Sequence, residues 1–293
     1  MLSILIPIYN YNVLPLVKQL NKQCTLSGII FEILCQDDAS NSIFNIENEK
    51  INNIANCSFV ALEKNIAHRA NRNLLAQKAK YENLLFLDGD SNVISPNYIN
   101  NYCNYLGKYD AIYGGRVHPK TCPSKNQKLR WLYGIKVEDK KAIDRRKNMY
   151  ASLLFNNTII TKSMFKRTGF DTEMTFYGHD DTQLSYKLKN LKASVLHIEN
   201  AIEHADIDSN EQFYIKMKES VRNVKTMHDT KQIDYNYIKI LKLYHFLKST
   251  FLYVPIGVLY TIFSGVLKKK LIGNSPSILV FNFFRIGYLC SLK

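Results

Sequence analysis

The chain has 293 residues, 46% of them apolar, which is enough for one large α/β domain with an appendage or two small domains and excludes a disordered chain. Its formal net charge of +14 is uneven: Arg116 to Lys147 holds eleven Lys or Arg against three acids, and Lys239 to Lys293 holds eight against none. Charge confined to two stretches argues for local anionic partners, phosphates or lipid head groups, and against a protein coated in nucleic acid.

The opening run "LSILIPIYN" is a short β-rich segment broken by Pro7, and "VLPLVKQLNKQC" follows with helical spacing. "FEILCQDDAS" is a second strand ending in Asp37 and Asp38, and "CSFVALEKN" a third. "RANRNLLAQKAK" is a helix with Leu74, Leu75 and Ala79 on one face, and "ENLLFLDGD" is a fourth strand. Alternating strand and helix predict a doubly wound, mostly parallel sheet flanked by helices. Ligands of such sheets bind at the carboxyl ends of the strands, where Tyr9, Asp38 and Asp88 stand.

Beyond Asn92, "DAIYGGRVHP" is expected to be another strand, and the basic segment to Lys147 to be loop and helix without a clear period. "ASLLFNNTIITKSMF" resumes with strand-like residues and "DTQLSYKLKNL" is a helix. Composition changes near Tyr237, which sets the expected division at 1–236 and 237–293. The run from Ser249 to Leu267 carries no charge over nineteen positions and ends at Lys268, Lys269 and Lys270. Pro255, Gly257 and Gly265 interrupt it, and a single span would put those lysines on the far side of the membrane from the rest of the chain. Helices lying on the membrane surface, lysines on anionic lipid, are therefore expected; packing on the first domain is the alternative.

The six cysteines form no C-x-x-C pair and the chain opens without the basic region of a cleavable signal. A reducing cytosol with free thiols is expected, so the sequons at Asn56 and Asn156 carry no meaning.

The stretch "LLFLDGDSN" puts Asp88 and Asp90 at the end of a buried strand. Acids at i and i+2 can face the same way and share a hard cation, Mg²⁺ or Mn²⁺, with phosphate oxygens. A solvated turn is the plainer reading of D-G-D taken alone. Context comes from "SILIPIYN", "CQDDAS", "NIAHRANRN", "LLFLDGDS", "LRWLYG", "FYGHDDTQLSYKL" and "IEHADIDSNEQF". In that order, from residue 2 to about residue 228, the chain resembles the family-two nucleotide-sugar glycosyltransferases, which have a GT-A-type fold.

The resemblance implies roles. Pro7 and Tyr9 would line the base pocket and Asp38 would accept a hydrogen bond from the base; a carboxylate facing a ring N–H favours uracil, hence a UDP-sugar. Asp88 and Asp90 would form the metal-binding pair, with His204 as a further ligand and His197 as the other candidate. Arg72 is retained, Ala67 stands where the family usually has glycine and His68 where it often has a basic residue, and Arg69 could supply the displaced charge or lie on a solvated helix face. Asp181 would be the catalytic base, with Asp180, where glutamate is usual, beside it; both also suit a helix cap. Trp131 could stack on an acceptor sugar or belong to the core.

The implied reaction is an inverting, Mn²⁺- or Mg²⁺-dependent transfer of a hexosyl or N-acetylhexosaminyl group to a glycan, in surface polysaccharide synthesis, at the inner face of the cell membrane. A nucleotidyltransferase lacks support, because "PIYNYN" has no glycine for a phosphate loop. A catalytically inactive sugar-nucleotide or glycan binder on the same fold is the non-enzymatic alternative.

Overall fold

The computed structural model describes residues 1–174 and 176–292. In chain order its elements begin β1 (Leu2–Ile8), α1 (Leu14–Ser27), β2 (Phe31–Asp37), the short α2 (Asn45–Asn48), β3 (Cys57–Ala61), α3 (Ala67–Lys78) and β4 (Asn83–Leu87). They continue with β5 (Ser91–Val93), α4 (Tyr98–Cys103), β6 (Ala111–Tyr113), β7 (Arg116–Val117), α5 (Lys128–Tyr133), α6 (Ala142–Arg146), β8 (Asn157–Thr161) and α7 (Lys162–Thr168). Then come α8 (Asp180–Asn190), β9 (Val195–His197), β10 (Ile202–His204), α9 (Asn210–Asp229), α10 (Lys239–Ser249), α11 (Tyr253–Ile272) and α12 (Ile278–Ser291).

One compact unit comprises residues 1–117, 139–172 and 187–206. Its main sheet runs β3-β2-β1-β4-β8-β6-β9 and is parallel except for β8, which is antiparallel to both β4 and β6. This is the mostly parallel, helix-flanked sheet that the strand–helix alternation predicts. Both faces of β1 are covered, so it reads as a nearly unbroken apolar run rather than an alternating one. Val13, Val17, Leu20 and Cys24 of the α1 region share a core with Ile4, Ile33, Leu85 and Leu87 of the sheet.

The single strand expected in "DAIYGGRVHP" is two. β6 joins the main sheet, whereas β7 pairs with β10 in a three-stranded sheet, β5-β10-β7. Gly114 and Gly115 make the break: a Cβ on Gly114 would overlap the Tyr102 hydroxyl, and Gly115 takes φ +94°. In "ASLLFNNTIITKSMF" only 157–161 is strand, because the Thr161 hydroxyl accepts the Met164 N–H at 3.3 Å and starts α7.

The other unit comprises 118–138, 173–186 and 207–293. Ser209 and Gln212 form a capping box that starts α9. Phe213, Val221 and Val224 of α9 share a core with Leu241 of α10, Tyr260 of α11, and Phe281 and Phe284 of α12. Two glycines bring α11 and α12 together: a Cβ on Gly257 would lie 2.9 Å from the Cys290 carbonyl oxygen, and one on Gly287 2.8 Å from Tyr260 Cβ. The expected division at residue 236 therefore does not coincide with that of the fold, since α12 fills the core that α9 opens. The uncharged run is also divided: residues 250–252 separate α10 from α11, which bend through 114°. No single helix among the described residues is long and apolar enough to cross a membrane.

Candidate active site

β2 and β3 lie on one side of β1 and β4 on the other, so strand order reverses between β1 and β4. Crevices at such reversals are where open α/β sheets bind ligands. Pairing of β1 with β2 runs on through Pro7 to Ile8, while pairing with β4 stops at Leu5 and Phe86. Pro7 has no N–H to extend a ladder. Gly89 follows β4 closely past the Pro7 carbonyl, and Tyr9, just beyond β1, is 65% exposed.

Asp38 follows β2 and is buried. Its N–H donates to the Ile8 carbonyl at 2.9 Å and its Oδ1 accepts the Ile66 N–H at 2.7 Å, so it joins β1 to the entrance of α3. One carboxylate oxygen proposed for the base is thus already engaged. At that entrance Ala67 takes φ +66°, the left-handed conformation that favours glycine. The turn expected of the family's glycine is kept although the residue is alanine.

On α3, Arg69 is buried, which rules out the solvated-face alternative. One turn on, Arg72 Nη2 donates to Asp88 Oδ1 at 2.5 Å, and the guanidinium carbon lies 5.4 Å from the centre of the Phe170 ring. Asp88 is therefore held against α3.

Asp90 faces elsewhere. β5 pairs antiparallel with β10, setting Ser91 opposite His204, and Asp90 Oδ2 lies 3.2 Å from His204 Nδ1. Burial raises the Asp90 carboxyl, but the His204 hydrogen bond and charge, with Arg116 behind them, outweigh it and leave the group below the ordinary carboxylate range. Burial first, then the charges of Asp90 and Asp206, raise the neighbouring Tyr11 phenol.

Asp90 Oδ1 is buried without a hydrogen-bond partner. An ionised, orphaned carboxylate oxygen beside an imidazole fits a divalent cation. No group of three or more His, Cys, Asp or Glu with metal-holding geometry occurs among the described residues, so an ion at Asp90 and His204 would draw its other oxygens from elsewhere. His197 offers no ring nitrogen for it: Nδ1 accepts from Arg145 Nε at 3.3 Å, and Nε2 donates to the Met149 carbonyl at 2.7 Å.

Asn156 escaped the sequence reading, which treated it only as a sequon. It is buried, both side-chain polar atoms lack partners, and it stands one residue before Asn157, the partner of Leu87. Continuing that register puts Asn156 across from Asp88 at the mouth of the crevice. No local sequence signal marks it, because its place depends on the register of β8 against β4.

In the second unit, Asp180 and Asp181 occupy the first turn of α8, where the helix dipole and free N–H groups favour ionised carboxylates. His179 precedes them at φ +65°; burial and the Arg285 charge push its pKa down to about 4 against the pull of Asp180. Trp131, on α5, is half-buried and its indole N–H donates to the Pro119 carbonyl at 2.8 Å, leaving its rings only partly available to a sugar.

The family model for glycosyl transferase family 2 matches residues 3–170. That span contains Pro7, Tyr9, Asp38, Arg69, Arg72, Asp88 and Asp90 but ends before Asp180, Asp181 and His204. Among solved structures, residues 1–349 of S. aureus TarS align with TM-score 0.53 at 19% identity, covering 74% of this chain and 63% of that one. TarS in complex with UDP aligns with TM-score 0.51 at 19% identity, covering 76% and 65%. A mannosyltransferase from Pyrobaculum calidifontis in complex with GDP-Man and Mn²⁺ aligns with TM-score 0.54 at 13% identity, covering 78% and 64%. The chain thus spans less than two thirds of each of these proteins, and the likeness establishes the fold. No curated protein matches the chain.

Proposed function

Because the chain belongs to glycosyl transferase family 2, we propose that it moves a sugar from a nucleotide diphosphate sugar, a UDP-sugar first of all, to a hydroxyl of a glycan acceptor with inversion. The observation that carries this reading is the orphaned oxygen of ionised Asp90 beside His204, at the point where strand order reverses.

Asp90 and His204 would hold a Mn²⁺ or Mg²⁺ ion at this strand end. When bound, that ion supplies charge neutralisation on the departing diphosphate. Arg72, fixed by Asp88, adds fixed positive charge near the same strand end, and Tyr9 offers an exposed ring for the base. Asp181 accepts the proton of the acceptor hydroxyl as that oxygen bonds to the anomeric carbon and the bond to the nucleoside diphosphate breaks, with Asp180 orienting the acceptor. A hexosyl or N-acetylhexosaminyl donor and a role in surface polysaccharide synthesis complete the proposal; the UDP-GlcNAc complex of TarS makes that nucleotide sugar the first to try.

The inactive-binder reading draws on Ala67 and Asp180 at altered positions, and the left-handed turn at Ala67 weakens it. UDP release from UDP-sugar and acceptor tests the proposal. Asp181→Asn should lower turnover by at least about a hundredfold while leaving UDP affinity within a factor of about two; a variant that keeps most of its turnover would remove Asp181 from the base role.

A further inference from the structure

α11 is apolar on both of its faces. One face is spent inside the protein: Gly257, Tyr260 and Leu271 are buried, and α12 approaches to contact at Gly257. The opposite face carries Val254, Val258, Leu259, Ile262, Phe263 and Val266, each at least 45% exposed. From Tyr253 to Leu267 there is no charged residue, although a helix turned to water carries its charges on that side. So large an exposed apolar surface marks a docking face.

The surroundings name the partner. Phe251 at the bend is 77% exposed, and the outer side of α10 mixes exposed Leu243 and Phe246 with exposed Lys239 and Lys242. The far end of α11 carries exposed Lys268, Lys269 and Lys270. No acid occurs from Lys239 to the last residue, and Glu211 of α9, 3.9 Å from Lys268, leaves the basic end of α11 still in excess of positive charge. Two copies meeting through this face would bring like charges together. A bilayer with anionic headgroups instead accepts the apolar side chains between headgroups and pairs with the lysines around them.

We propose that the exposed face of α10 and α11 docks the protein on an anionic bilayer surface, with α11 lying in the interface rather than across it. The 114° bend between α10 and α11 and the burial of the Tyr260 side against protein both suit a helix with lipid on one side only. This inference stands independently of the catalytic proposal.

The test is flotation of the full chain with phosphatidylcholine vesicles, with and without phosphatidylglycerol. The wild type should float with the anionic vesicles. Lys269→Ala/Lys270→Ala should weaken that binding at least about tenfold, and Ile262→Asp/Val266→Asp should abolish flotation. Both variants should keep the wild-type circular dichroism spectrum and thermal response to UDP, which separates loss of docking from loss of fold or of the nucleotide site. Three results would overturn the proposal: no flotation by the wild type; wild-type flotation by the aspartate variant; or a membrane fraction that resists alkaline carbonate and yields only to detergent, the mark of a spanning segment. A concentration-dependent dimer that dissociates in Ile262→Asp/Val266→Asp without any vesicle binding would assign the face to a second copy instead.

Discussion

Asp88 and Asp90 stand one residue apart, yet they belong to different interactions: Asp88 is tied to Arg72 on α3, and Asp90 turns toward His204 on β10. The pair itself was legible from an apolar run ending in D-G-D. Its division was not, because it depends on β10 arriving beside β5 from far along the chain. Asn156 was illegible for a similar reason, since only the register of β8 against β4 puts it at the crevice. Ala67 shows the reverse: the departure from glycine was plain in the sequence, and the backbone kept its left-handed turn. An L-residue there carries about 1–2 kcal/mol of strain, partly offset by the entropy glycine loses on folding. Ala67→Gly should therefore raise the stability by up to about 1 kcal/mol, read as a higher urea midpoint at constant slope; a clear drop in the midpoint would contradict the left-handed turn.

Among the elements, β1 to β4 and the helices α1, α3 and α8 followed from periodicity, whereas α9 and the short β5, β9 and β10 did not, and the basic segment did not behave as its charge suggested. Arg145 in α6 is buried and donates to the Ile198 carbonyl at 2.6 Å and to the Gly114 carbonyl at 3.1 Å, so part of the positive charge fastens loops instead of meeting an anion. Its guanidinium also faces His197, and burial, together with the charges of Arg145 and Arg146, takes that imidazole down to about 4 despite its bond to the Met149 carbonyl. His179 is depressed to about the same value. Both are neutral in the fold, so the unfolded chain takes up protons first as pH falls below about 6.5. Stability should be full above that pH and be lost between about 6.5 and 4, by on the order of 3 kcal/mol for the fully buried His197. Thermal melts across that range should show the decline, and His197→Gln should make it shallower; an unchanged slope would show that His197 does not titrate in this way.

At the level of the whole molecule, the parallel sheet and its ligand-binding edge could be read from the order of strands and helices, but the division of the fold could not. Residues 118–138 and 173–186 interrupt the sheet-bearing unit in sequence and belong with the C-terminal helices, and no shift in composition announces such interleaving. Phe213 and Val224 of α9 pack in a core completed by Phe281 and Phe284. A chain ending at residue 236 should therefore expose that core and aggregate; a soluble, cooperatively melting product would mean the C-terminal helices are dispensable.

The most direct measurement of the central claim is the thermal stability of the full chain with UDP, with and without Mn²⁺, in the wild type and in Asp90→Asn. A ligand at about a hundred times its Kd adds about 2.7 kcal/mol to the folded state, a rise of a few degrees in Tm for a chain of this size. UDP and Mn²⁺ together should produce this rise in the wild type, and Asp90→Asn should lose it. A rise equally large without metal or in Asp90→Asn, or none under any condition, would contradict the assignment of Asp90 to a metal-bound diphosphate.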